Sequence, residues 1–276
     1  MTSAIYYEET QALVQTFSQE DQAYFQDLWD YFNFAGFLYE EKALREQVYN
    51  LALDFSQASG DGLTAKDYFG QDPKGMADQI IENMPKESTR SVLKYGAFIS
   101  GIVIFYRLLS DFASQAVLVL KPLVYLTDAI LGLLAVGLLF YLLRCLIFVE
   151  KKSKKAIYVA VVLVLGVYFA SEIVGVRLLP ALAWLTVPNP WDTLLMIGAS
   201  GALILWQWKE EFGRAFVFPI VAFLVVGFLH RWTLAQGIQN PTTNIILPTV
   251  IIMIGLMIYY WFTIRALKKN KTENGE

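Results

Sequence analysis

One cysteine, Cys145, and one histidine, His230, occur in 276 residues. A lone cysteine excludes an intrachain disulfide and leaves the redox compartment open. A lone histidine excludes a zincin site, which needs two rings one helical turn apart with a glutamate between them. No glycine-rich loop ends in Gly-Lys-Ser/Thr, which argues against nucleotide-driven transport by this chain alone. No metal or cofactor is expected. Charged residues make up only 17%, against about 25% in soluble domains, so much of the surface should face something other than water. The start, Met1-Thr2-Ser3, has no basic region followed by an apolar stretch, so neither a cleavable signal peptide nor myristoylation is expected.

What is present is apolar sequence, 56% of the chain, and an uneven distribution of charge. Residues 1–85 hold 15 Asp/Glu against 4 Lys/Arg, whereas residues 86–276 hold 10 against 18, a net of −11 followed by +8. The two regions should therefore have different surroundings. Six windows approach the roughly 20 apolar residues that a membrane-crossing helix needs: 92–110, 123–148, 156–176, 191–208, 215–232 and 244–264. Lys94 and Arg107 lie near the ends of the first, where long stems can snorkel. The second is long enough to require tilt. Leu178 to Val187, interrupted by Pro180, is too short to cross and is expected as an external interfacial loop.

Alternating the loops across six spans places Lys86, Arg90, Lys94, Arg144, Lys151, Lys152, Lys154, Lys155, Lys209, Arg214, Arg265, Lys268, Lys269 and Lys271 on one side. The other side holds only Arg107, Lys121, Arg177 and Arg231. Positive charge accumulates inside, so both termini of a multi-pass membrane protein are expected in the cytoplasm. Trp184, Trp191, Trp206, Trp208, Trp232 and Trp261 fall near span ends, where amphipathic rings are best accommodated. Ala97/Gly101 and Gly198/Ala202 have the spacing that lets helices approach. Pro219 and Pro248 should kink or loosen the fifth and sixth spans.

Before the first span the pattern is that of a small soluble helical domain. Ser18 and Asp21 resemble a capping box. Phe25, Leu28, Trp29 and Phe32 follow at helical spacing until Gly36. A second helix starts near Tyr39, carries Leu44, Val48, Leu51 and Phe55 on one stripe, and ends at Ser59-Gly60-Asp61-Gly62. Thr64 and Asp67 cap a short helix closed by Gly70, and Asp72-Pro73 opens a last one bearing Met76, Ile80, Ile81 and Met84. No strand pattern is visible here. Helices this short must pack together to be stable, and so small a domain has a marginal core. It is expected to lean on residues 4–17 or on the membrane bundle. The expected architecture is all-α: an acidic cytoplasmic domain over 1–90, about six transmembrane helices over 91–267, and a polar tail over 268–276.

The stretch from Gly62 to Pro73, with Phe69, Gly70 and Asp72, followed by Ala77 and Ile80, resembles the end of the helical domain called HAAS. With the Pro-Lys-Glu-Ser linker and the hydrophobic bundle, the arrangement is similar to a membrane family of Gram-positive bacteria known as domain-of-unknown-function family 1129. HAAS-type domains are associated with PadR-type transcriptional regulators, so the resemblance implies a signalling or regulatory role. It carries over a fold and no catalytic residue, since each of these positions has a structural explanation.

Among candidate chemical groups, Glu210-Glu211-Phe212-Gly213-Arg214 is similar to the first motif of CAAX-type intramembrane proteases. The spacer there is three residues and here is two, and only His230 follows on later helices, so an ordinary charged cytoplasmic loop accounts for it. His230 reads as an interfacial residue, with pH sensing as the alternative. Carboxylates within the bilayer are functional candidates by default. Asp128 and Glu172 both lie toward the external side, with Arg107 and Arg177 at comparable levels. These four could form a structural charge network, serve a ligand or ion, or face solvent. The run Glu150-Lys151-Lys152-Ser153-Lys154-Lys155 sets topology and could attract anionic lipids. Asp61 and its neighbours lack calcium-loop spacing, and the acidic domain should be repelled by nucleic acid.

The expectation is a non-enzymatic regulator or adaptor whose residues 1–90 bind a protein partner, with lipids around the bundle. The alternative is a small transporter or channel with Glu172 and Asp128 in or near its pathway. No internal repeat supports the latter.

Overall fold

The structure is a computed structural model and describes residues 1–70, 72–149, 151–178, 185–208, 211–238 and 240–273, with backbone alone for 151–152, 172–178, 211–212 and 267–273. Contacts divide it into two units, Met1–Ser100 with Ile130–Gly175, and Gly101–Ala129 with Val176–Glu276.

In the first unit, α1 (Ser3–Gln15) packs on α3 (Glu41–Gly60), burying Tyr6 and Thr10, so residues 4–17 do support the small domain. Helix α2 (Gln19–Ala35) begins as its sequence demands: the Ser18 hydroxyl accepts from the Asp21 amide at 3.3 Å and donates to the Asp21 carboxylate at 2.7 Å. The same carboxylate accepts from the Ala65 amide at 2.7 Å, tying the start of α2 to that of α4 (Ala65–Phe69). Thr64 caps α4, and Asp72 caps α5 (Pro73–Glu82), where the Gly75 amide donates to it at 2.9 Å. Gly62 and Gly70 hold φ of +83° and +85°, conformations that disfavour a side chain. One core joins Leu28, Phe32, Leu44, Val48, Ala77 and Ile81; a second joins Phe17, Phe25, Phe55 and Ala65, with Phe69 against it. A single antiparallel bridge, Tyr39 to Lys86, links the α2–α3 turn to the segment leaving α5.

Among the described residues, five helical segments are long and apolar enough to cross a membrane: Thr89–Ser114, Pro122–Ile147, Ser153–Ser171, Gly213–Ala235 and Thr242–Ala266. The first two are helices α6 and α7, and the third lies within α8 (Lys151–Leu178). At the fourth expected position stands α9 (Trp191–Gln207), whose 17 residues span about 25 Å at 1.5 Å per residue. A short α10 (Glu211–Ala215) breaks from α11 (Val217–Ala235) at Phe216. That break immediately follows Ala215, the carbonyl that loses its donor at Pro219. A π-helical turn, Thr242–Ile246, likewise precedes Pro248 in α12 (Leu247–Glu273). Both expected loosening points therefore sit at helix starts.

The fold is all-helical as expected, with one short addition. Strands β1 (Leu118–Leu120) and β2 (Leu185–Val187) form an antiparallel ladder in the second unit, so the loop expected over 178–187 ends in a strand; its residues 179–184 lie outside those described. Three-residue strands are too short to leave a periodic signal. Close approach also occurs elsewhere than expected. A Cβ at Gly101 or Gly198 would meet nothing within 4 Å, but one at Gly227 would come within 2.4 Å of the Phe112 ring, and one at Gly255 within 2.7 Å of the Ala222 Cβ. The described tryptophans at helix ends, including Trp191, Trp208 and Trp261, are exposed.

Candidate functional site

The second unit gathers charge at one end of its helices. Arg107 and Asp111 lie one turn apart near the end of α6, with Nε and Oδ1 3.8 Å apart. Arg107 Nη1 reaches Asp128 Oδ2 on α7 at 3.6 Å, and Lys121 Nζ, just before α7, reaches Asp111 Oδ1 at 3.8 Å. The Tyr125 hydroxyl donates to Asp111 Oδ2 at 3.0 Å, and the Gln115 amide donates to Oδ1 at 3.2 Å. Two acids thus face two bases, all four nearly sealed from solvent.

A second pair completes this end. Asp192, in the first turn of α9, is fully buried and meets Arg231 Nη2 of α11 at 3.0 Å. Its carboxylate also accepts from the Thr193 amide at 2.6 Å and from the Leu118 amide at 3.4 Å. The Arg231 guanidinium lies 3.8 Å over the Phe112 ring and donates to the Phe112 and Gly227 carbonyls. Gly227 is what allows this: any side chain there would displace Phe112. Leu109, Phe112, Leu118, Met196 and Ile220 pack beneath as an apolar core.

The magnitudes favour cohesion over a vacant binding site. An isolated central carboxylate costs about 2.5–3.5 kcal/mol on insertion scales. Opposite charges about 4 Å apart attract by about 4 kcal/mol at an effective dielectric constant of about 20. Pairing therefore offsets burial, and each group set out above has an opposite charge within reach.

Of the four residues expected to form a network, Arg107 and Asp128 come together. The side chains of Glu172 and Arg177 lie outside those described. Asp111, Lys121, Tyr125, Asp192 and Arg231 were missed as partners. The i, i+4 spacing of Arg107 and Asp111 was the available signal; Lys121 and Arg231 had entered only as topology counts, and nothing local links Asp192 to a residue 39 positions away. His230 is half-buried, and its carbonyl accepts from the Thr233 hydroxyl. Among the described residues, no three His, Cys, Asp or Glu side chains gather as metal ligands would.

A different polar contact lies in the first unit, where the acidic domain meets the α7–α8 turn. Arg144 donates from Nη2 to Asp78 Oδ1 and from Nε, at 2.9 Å, to the Tyr31 oxygen. The Tyr31 hydroxyl donates in turn to Asp78 Oδ1 at 2.7 Å. Burial pushes the Tyr31 hydroxyl up to about 12, and the bond to Asp78 acts in the same direction, so it remains a donor throughout the physiological range. Ile147 and Phe148 pack against the domain core, and the Phe34 and Phe37 rings meet Phe140 edge-on and tilted, with centroids 5.8 and 5.1 Å apart. Burial raises the Asp27 carboxyl, while the charge of Lys154 opposes that shift.

Comparison with protein-family models, curated proteins and solved structures returned no match.

Proposed function

We propose that this chain is a non-enzymatic regulator or adaptor of the bacterial cell membrane, crossing it six times with both termini in the cytoplasm. In this reading α9 is the fourth of the six spans. Residues 1–90 bind a protein partner and communicate with the bundle through the α7–α8 turn. The observation carrying the proposal is the seating of the acidic domain on that turn, by the Arg144–Asp78–Tyr31 triad and by Ile147 and Phe148. A soluble domain bonded to the end of a membrane helix has a physical route for exchanging information with it. The likeness of Gly62, Phe69, Gly70, Asp72, Pro73, Ala77 and Ile80 to a HAAS domain supports the same role.

The rival reading, a small transporter or channel using Asp128 and Glu172, is weakened by the pairing of Asp128 with Arg107. It requires Glu172→Gln to abolish transport at unchanged protein abundance. The deciding experiment is purification of the tagged full-length protein in mild detergent, beside a chain lacking residues 1–90, with mass spectrometry of what remains bound. A stoichiometric partner recovered only with the full chain is the expected result. Recovery of the protein alone, even after crosslinking, would overturn the adaptor reading and direct attention to flux assays on Glu172.

A further inference from the structure

Helix α5 has two unlike faces. Asp78 turns to Arg144, whereas Met76 and Ile80, one turn apart, and Met84, just past the helix end, line a cleft of about 620 Å³ between α5 and α3. These three side chains are half-buried, so the cleft has an apolar floor already shaped but incompletely covered. From Met76 to Met84 the floor is on the order of 10 Å long, about two turns of a bound helix. Methionine adapts to irregular apolar surfaces, and the rim carries the amides of Asn50, Gln79 and Asn83 to satisfy polar flanks.

Charge selects the occupant. Glu46 is the charged residue of the α3 wall, and residues 1–85 carry a net of −11. Nucleic-acid phosphates and anionic lipid headgroups are repelled by such a domain. A second copy bears the same excess and is repelled too. We propose that the α3–α5 cleft binds a cationic amphipathic helix of a partner protein. Its apolar stripe lies on Met76, Ile80 and Met84, and its lysines or arginines face Glu46 and the acidic surface around it. This rests on the adaptor reading and deepens it by naming the surface and the chemistry of the partner.

The test places a photoreactive amino acid at Asn83 in the full chain within native membranes, with a control at the exposed Lys74, and sequences the crosslinked peptides. The expected product from Asn83, absent from Lys74, is a segment of one other protein that carries net positive charge and apolar residues at i, i+3 or i+4. Ile80→Asp should abolish it. Because that change risks unfolding the domain, the paired variant Asn50→Lys/Gln79→Lys alters only exposed positions and should lower the yield about tenfold through repulsion. Crosslinks to lipid, to a second copy, or to a neutral or acidic segment overturn the proposal, as does a yield indifferent to the added lysines. If Asn83 gives no product while the full chain still retains a partner through residues 1–90, the cleft assignment falls and the adaptor reading stands. Loss of both ends both.

Discussion

The two polar clusters use similar residues under opposite conditions. Arg231 and Asp192 are 10% and 0% exposed, whereas Arg144 and Asp78 are 33% and 30% exposed. The first pair is sealed by Phe112 and accepts further backbone donors, so neither partner can return to water without opening the end of the helices. The second sits at a rim, and water can replace either partner when the contact breaks. A sealed pair serves cohesion, because breaking it leaves a bare charge. A rim pair of small net energy suits a contact that must open and close. By its electrostatics the Asp192–Arg231 contact is therefore the cohesive one, and the Arg144–Asp78 contact the adjustable one.

The contrast can be broken most sharply at Asp192. Replacement by Asn strands the Arg231 charge and should cost about 3–5 kcal/mol, read as a large fall in thermal unfolding temperature in detergent. Adding Arg231→Met should restore much of the loss. An unchanged melting temperature in the single variant would show that the pair is open to water. Arg144→Gln is the matched change at the rim and should cost about 1 kcal/mol or less. Its readout is faster hydrogen exchange in α5, with the unfolding temperature nearly unmoved; equal losses at the two sites would erase the distinction.

The smallest effect concerns Asp30, whose carboxyl burial raises above its usual range despite a hydrogen bond from Gln26. Its folded-state pKa exceeds the unfolded value of about 3.9, so the folded state binds the proton more tightly. Stability from this group falls as pH rises through that window. Asp30→Asn should thus be slightly more stable than the parent at pH 7, and the gain should vanish below the unfolded pKa. Parallel pH profiles for the two proteins would show that the residue is solvated.

The caps were legible because each is local: Ser18 with Asp21, Thr64 with Asp67, and Asp72 before Pro73 meet across three residues or fewer, and helix geometry alone brings them together. The apolar spans were legible for a similar reason, since length and hydropathy are properties of a segment. Their ends were less so, as α9 stops after 17 residues and α10 separates from α11. In the charged cluster, Arg107 and Asp128 stood out as ionisable groups inside apolar windows.

Sequence by itself determined the helical character, the division of charge between the two halves and most helix boundaries, all of which follow from periodicity and short-range hydrogen bonding. Tertiary structure alone decided that Asp192 meets Arg231, that β1 pairs with β2, that Gly227 packs against the Phe112 ring, and that Arg144 is bonded to Asp78. These choices join residues 39 to 115 positions apart. At such separations the chain's local preferences exert no control, and only the packing of whole helices selects which groups become neighbours.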